Sequence, residues 1–230
     1  MDPEEYGDVY SLTAIKSDTR LFLFHHEGKR STEDAIELFS EVEKMRSASS
    51  PIPVFSSDDW DAFEEGLINV YGKIELPQYK GIGRRPLTKL VPLDDLKYVK
   101  VLKKKIKNYV VETLQSIIFG DPEEIFEMLG ANSDSYIGTS YVERINLTIR
   151  TSLARFIRKG MNFSKTMKMH QKAFDFFQAW YNFIKPHTSL KLKIDCRNRK
   201  WFQRTPAMAE GITDRMWNLK ELLTYRVPVQ

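Results

Sequence analysis

Apolar and polar positions along this chain change period several times, and each change marks an element. From Asp8 to Ile15 (DVYSLTAI) the alternation is that of a strand, and beyond the turn residues Lys16 to Thr19 the apolar run Leu21 to Phe24 predicts its hairpin partner. Ser31 or Thr32 then stands where a helix cap belongs. Ala35, Ile36, Leu38, Phe39 and Val42 follow at helical spacing, and the helix is expected to end near Arg46. Ile52 to Ser57 reads as a short strand that delivers Asp58 at its carboxyl end, just as a second helix, roughly Asp59 to Tyr71, begins.

Lys73 to Pro92 is rich in Gly, Pro and basic residues and reads as a loop. Tyr98 to Lys105 and Tyr109 to Phe119 form an expected strand pair joined around Lys107 and Asn108. Pro122 opens a short helix through Leu129, and Gly130 to Gly138 is a polar linker. In the next helix Val142, Ile145, Ile149, Leu153 and Phe156 fall within one narrow arc. Glu143, Asn146 and Arg150 line another face at i, i+3 and i+7. Ser164 is placed to cap a long helix to about Lys185, with Met169, Ala173, Phe176, Phe177, Trp180, Phe183 and Ile184 mostly turned inward as core. Arg204 to Ala209 begins the last helical segment, expected to pack back onto the domain.

Composition narrows the class. With 230 residues, 42% hydrophobic and 29% charged, the chain is long enough to bury a real core as one large domain or a domain with an appendage. No apolar run approaches a membrane span and the first eight residues are acidic, so a cytoplasmic or nucleoid location is expected. The lone Cys196 excludes an internal disulfide, and the four histidines show no zinc-ligand spacing. The net charge of +4 hides a polarity: residues 1–96 carry 11 Lys/Arg against 19 Asp/Glu, whereas residues 97–230 carry 24 against 12. Arg84 and Arg85 in the loop, and Lys100, Lys103, Lys104, Lys105 and Lys107 on the strand pair, are read as exposed. Such groups either solvate or protect an edge, or they contact a phosphate backbone. No nucleoside-phosphate loop, nucleophile elbow, dinucleotide fingerprint or zincin motif appears.

Asp58 and Glu143 each have an ordinary reading. Asp58 or Asp59 can cap the helix that follows, and a glutamate in a first turn favours the positive end of the helix dipole. The runs TSYVERINLTIRTSLARFIRKGMNFSK, YNFIKPHTSL and RTPAMAEGITDRMWNLKELL add a second one. From about Gly7 to Leu223 the chain resembles the carboxyl-terminal half of insertion-sequence transposases of the DDE superfamily, best the short-element group whose third acid sits in a YVERxNLTxR helix.

The resemblance implies an α/β fold over residues 1–230, an RNase-H-like mixed sheet flanked by helices. It makes Glu143 the last metal carboxylate and, through SSDDW in place of the family's SDG turn, Asp58 the second, with Asp59 where glycine is usual. Asn146 and Arg150 would support the site or contact phosphate, and His187 would be structural or strand-positioning. Mg2+ or Mn2+ is the implied cofactor, and DNA, as element ends and target, the implied partner. The implied reaction is strand cleavage by water followed by transfer of the freed 3′ hydroxyl. The family's first acid lies in a DExWxxVxxK strand ahead of the strand that begins here at Gly7, and no counterpart is seen; Asp8 belongs to the second strand. The expectation is therefore a transposase lacking its first strand and DNA-recognition domain, and impaired in catalysis. The alternative is an inactive DNA-binding or regulatory fragment that associates with itself or with a full-length transposase.

Overall fold

The computed structural model describes residues 9–79, 81, 84–107, 109–129, 139–157, 161–196 and 199–226. They pack as two units, one of residues up to Leu12 with His26–Ser140, the other of Thr13–His25 with the residues from Tyr141 onward. Strands β1 (Tyr10–Ile15) and β2 (Phe22–Gly28) pair with each other, as the alternation predicts, and are divided between the units.

In the first unit, helix α1 (Thr32–Met45) starts at a capping box. The Ser31 hydroxyl accepts from the Asp34 N–H, and the Asp34 carboxylate accepts from the Ser31 N–H. Ala35, Leu38, Phe39 and Val42 of its predicted stripe are buried. Strand β3 (Val54–Asp58) leads into α2 (Asp61–Val70), which lies so close to α1 that a Cβ on Gly66 would stand 3.0 Å from that of Ala35. Any side chain there would make its neighbours on α1 give by a few tenths of an ångström, so glycine suits the approach. The expected loop after α2 is closed by a short antiparallel ladder, β4 (Gly72–Glu75) with β5 (Lys89–Pro92). Four-residue strands with exposed Ile74 and Leu90 leave too little periodicity to read.

Strands β6 (Lys97–Ile106) and β7 (Tyr109–Phe119) complete a three-stranded mixed sheet in the order β3-β6-β7, with β3 parallel and β7 antiparallel to β6. The core of this unit joins Phe39, Ile52, Leu67, Tyr71, Leu96 and Tyr98. Helix α3 (Pro122–Met128), capped by Asp121, buries Ile125 against Val99.

The second unit holds α4 (Ser140–Ser152), a short 3-10 turn over Ala154–Phe156, and α5 (Met167–Phe183). Ile145 and Ile149 of α4 meet Phe174, Phe177 and Tyr181 of α5 around Phe22, with Leu153 and Phe156 packed against them. The amide of Asn182 ties β2 to α5: its Oδ1 accepts from the Phe22 N–H at 2.9 Å and its Nδ2 donates to the Phe22 carbonyl at 2.8 Å. Two expectations about α5 change. Its N-cap is Thr166, without a side-chain cap, because the Ser164 hydroxyl is engaged with His170 Nδ1 at 2.8 Å. Met169 and Phe176 face outward, and the buried stripe is Phe174, Phe177 and Tyr181, the i, i+3, i+7 set of this helix.

Beyond α5 comes a two-stranded antiparallel ribbon that the sequence reading does not anticipate, β8 (His187–Cys196) with β9 (Arg199–Arg204). Helices α6 (Pro206–Glu210), capped by Thr205, and α7 (Leu219–Thr224) follow. The fold is mixed α/β, with a mixed sheet flanked by helices.

Candidate catalytic carboxylates and basic surfaces

Asp58 ends β3 opposite Val101 of β6, and its carboxylate is exposed. The helix-start residue of α2 is Trp60, whose side chain makes no capping bond, and the Trp60 N–H donates to the Asp58 backbone carbonyl at 3.0 Å. The capping role open to Asp58 and Asp59 is therefore not used. Neither carboxylate makes a hydrogen bond or ion pair with a described residue. Asp59 has an ordinary negative φ, so the turn does not demand the glycine usual in the family. Under the turn, Ser57 Oγ and the Tyr98 hydroxyl lie 2.6 Å apart, and burial pushes the Tyr98 phenol up. Strand β3 is thus anchored by a neutral bond next to its exposed acid.

In the other unit, Glu143 lies in the first turn of α4 and is exposed. Because Ile145 and Ile149 turn inward, the polar row Glu143, Asn146 and Arg150 is carried outward. Asn146 is half-buried, with its Oδ1 accepting from Thr13 Oγ1 at 3.3 Å, and Arg150 is exposed. The sequence reading gives no role to Arg20, which holds the corner before β2 in the left-handed conformation, φ 59°. Its guanidinium lies over the Tyr141 ring at 3.4 Å from the centroid, and its Nη1 is buried without a partner among the described residues. No periodicity signals such a corner, so only the structure finds it.

His187 opens β8 with its ring edge-on to Tyr181, centroids 4.6 Å apart. Its Nε2 is buried and without a partner among the described residues. Burial first, and then the charges of Lys185 and Arg20, lower its pKa to about 4. A neutral ring cannot serve as a cationic phosphate contact at pH 7.

The basic candidates separate into different states. Arg84 and Arg85 are exposed. Lys100 is not: it is 6% exposed, and its ammonium binds Asp61 at 2.9 Å and Glu64 at 3.0 Å. The expectation of an exposed Lys100 is corrected, because its side chain runs from the sheet to the first turn of α2. Burial works against its charge, but the bonds to Asp61 and Glu64 outweigh it and hold the pKa above the ordinary lysine value. Lys103 donates to Thr139 Oγ1 at 3.1 Å and Lys104 meets Glu112 across the ladder at 3.0 Å. Lys107 is exposed in the turn with φ 49°, whereas the side chain of Lys105, like Asp8, lies outside what the structure describes.

Within either unit, no group of three or more described His, Cys, Asp or Glu side chains is gathered for a metal. Among the described residues no helix is long and apolar enough to cross a membrane. No curated protein and no solved structure matches the chain. Residues 127–183 do match the family model described as IS1 transposase. That segment runs from the end of α3 through α4 to the last residue of α5, and it contains Glu143, Asn146 and Arg150. Over that segment, about a quarter of its length, the chain is similar to the insertion-sequence transposases that the model describes.

Proposed function

We propose that this chain acts in insertion-sequence transposition, as a metal-dependent DNA strand-cleaving and strand-transferring protein on an RNase-H-like fold. The observation that carries the reading is the coincidence of the family match with α4, whose buried stripe turns Glu143 outward on a polar row. The parallel pairing of β3 with β6, and the acid at the carboxyl end of β3, support the RNase-H-like assignment. In this reading Asp58 and Glu143 hold Mg2+ or Mn2+. Both are exposed carboxylates, and oxygen donors suit these hard cations. When bound, the metal supplies charge that activates an attacking oxygen and stabilises a leaving one at phosphorus. Asn146 and Arg150 orient phosphate, Asn146 from a position set by Thr13 and Arg150 as a planar cation suited to phosphate oxygens.

Calorimetric titration of the full chain with MnCl2, beside Asp58→Ala and Glu143→Ala, tests the assignment. Loss of binding in both variants is expected. Undiminished binding in either removes that residue from the metal set. A folded chain that binds no metal at all leaves the reading of an inactive DNA-binding or regulatory transposase chain.

A further inference from the structure

The β8–β9 ribbon holds neither of the candidate metal carboxylates, yet it has the composition of a binding surface. Residues 187–204 hold six Lys/Arg and one acid, Asp195. Lys193 stands in register with Trp201, so the two share a face, and the strand period adds Lys191 and Gln203 to it. The other face carries Leu192 opposite Phe202. Trp201 is 46% exposed, whereas Trp60, Trp180 and Trp217 are half-buried.

The ammonium of Lys191 lies 4.4 Å from the centroid of the Trp201 ring. Beside this pair opens a cavity of about 250 Å³, lined by Pro186, His187, Thr188, Lys191, Trp201 and Gln203. Its lining supplies an aromatic plane, a cation, an amide and a hydroxyl, and no carboxylate. An aromatic face on which a lysine rests can exchange that partner for a flat, uncharged ring. The released ammonium is then free for a neighbouring anion. One polymer offers both groups at adjacent positions: a nucleic acid strand whose bases are not paired.

We propose that the β8–β9 ribbon binds single-stranded DNA and takes one unpaired base in this cavity. The base stacks on Trp201, its edge meets Gln203 and Thr188, and its phosphate draws Lys191 and Lys193. Duplex DNA keeps its base faces covered by their neighbours and gains only the phosphate contacts. The choice of DNA as the polymer rests on the transposase reading, but the surface uses neither Asp58 nor Glu143.

The test is metal-free. Fluorescence anisotropy of a labelled oligothymidylate, and of a labelled duplex of equal length, is followed as the full chain is added. Trp201→Ala should weaken single-strand binding about tenfold and leave duplex binding nearly unchanged, and Trp201→Phe should recover most of the loss. Lys191→Ala should weaken binding by about threefold and make it less sensitive to salt. Single-strand binding unaffected by Trp201→Ala overturns the proposal, as does an equal loss on the duplex, which would make the ribbon a backbone contact only. If Trp201→Ala unfolds the chain, Lys191→Ala and Gln203→Ala carry the same comparison. Asp58→Ala and Glu143→Ala should bind the single strand as the parent chain does, so failure of the metal assignment and failure of this one are separable.

Discussion

Two basic β-ribbons occur in this molecule, and they use their charges in opposite ways. On β6, Lys97 meets Glu124 at 3.1 Å, Lys100 meets Asp61 and Glu64, and Lys104 meets Glu112. On β8 and β9, Lys191 rests on an exposed indole, and Lys193 and Lys200 are exposed with no acid against them among the described residues. In sequence the first ribbon has the denser run of lysines, KKK within KVLKKKIK, and it invites the nucleic-acid reading. Local charge density therefore misleads. What matters is whether acids from other elements lie within reach, and α2 and α3 bring them to β6. A cation already satisfied by a carboxylate must give up that bond before it gains a phosphate.

If β6 serves the core and β8–β9 serves a ligand, substitutions should separate along that line. The largest effect is expected for Tyr98→Ala. Its ring is fully buried between the sheet and α1, so denaturant unfolding of the full chain should show a loss of about 3–5 kcal/mol. Lys100→Met keeps the buried stem but leaves Asp61 and Glu64 without their cation. Those acids can rehydrate, Asp61 being 92% exposed, so the cost should be only about 1–2 kcal/mol. A loss near zero would mean that Lys100 is free to serve a ligand after all.

His187 marks where the second ribbon is rooted. Its folded pKa of about 4 lies below the ordinary 6.5, so as the pH falls from 6.5 towards 4 the unfolded chain takes up the proton first and stability is lost. The ring is partly exposed, and screening reduces the effect to the order of 1 kcal/mol. His187→Phe should flatten that limb of the stability–pH curve. Smallest of all, Trp201→Ala should change stability by less than about 0.5 kcal/mol. A loss comparable to that of Tyr98→Ala would make the ribbon a structural element and erase the contrast.

Much of the local structure was legible in the order of residues. Strand β7 has the bounds that its pattern predicts, α1 has its expected cap and stripe, and α4 buries Ile145 and Ile149 while exposing Glu143. These elements are set by nearest neighbours and by a period long enough to count. The β8–β9 ribbon shows where such reading stops. Leu190, Leu192 and Ile194 alternate with Lys191 and Lys193 as strand residues should. Pro186 and His187 shortly before them read as a turn, and a turn signal masks an alternation that starts within it.

The sequence by itself determined the longer helices, the strands β1, β2, β3, β6 and β7, the outward row on α4 and, over residues 127–183, a likeness to the IS1 transposase family. Tertiary structure alone decided that Lys100 is spent on Asp61 and Glu64, that Asp58 caps nothing, and that Trp201 is left open beside Lys191. The reason is one of range. Periodicity reports which way a side chain points along its own element, whereas burial and charge pairing depend on residues tens of positions away that only the folded chain brings within a few ångströms.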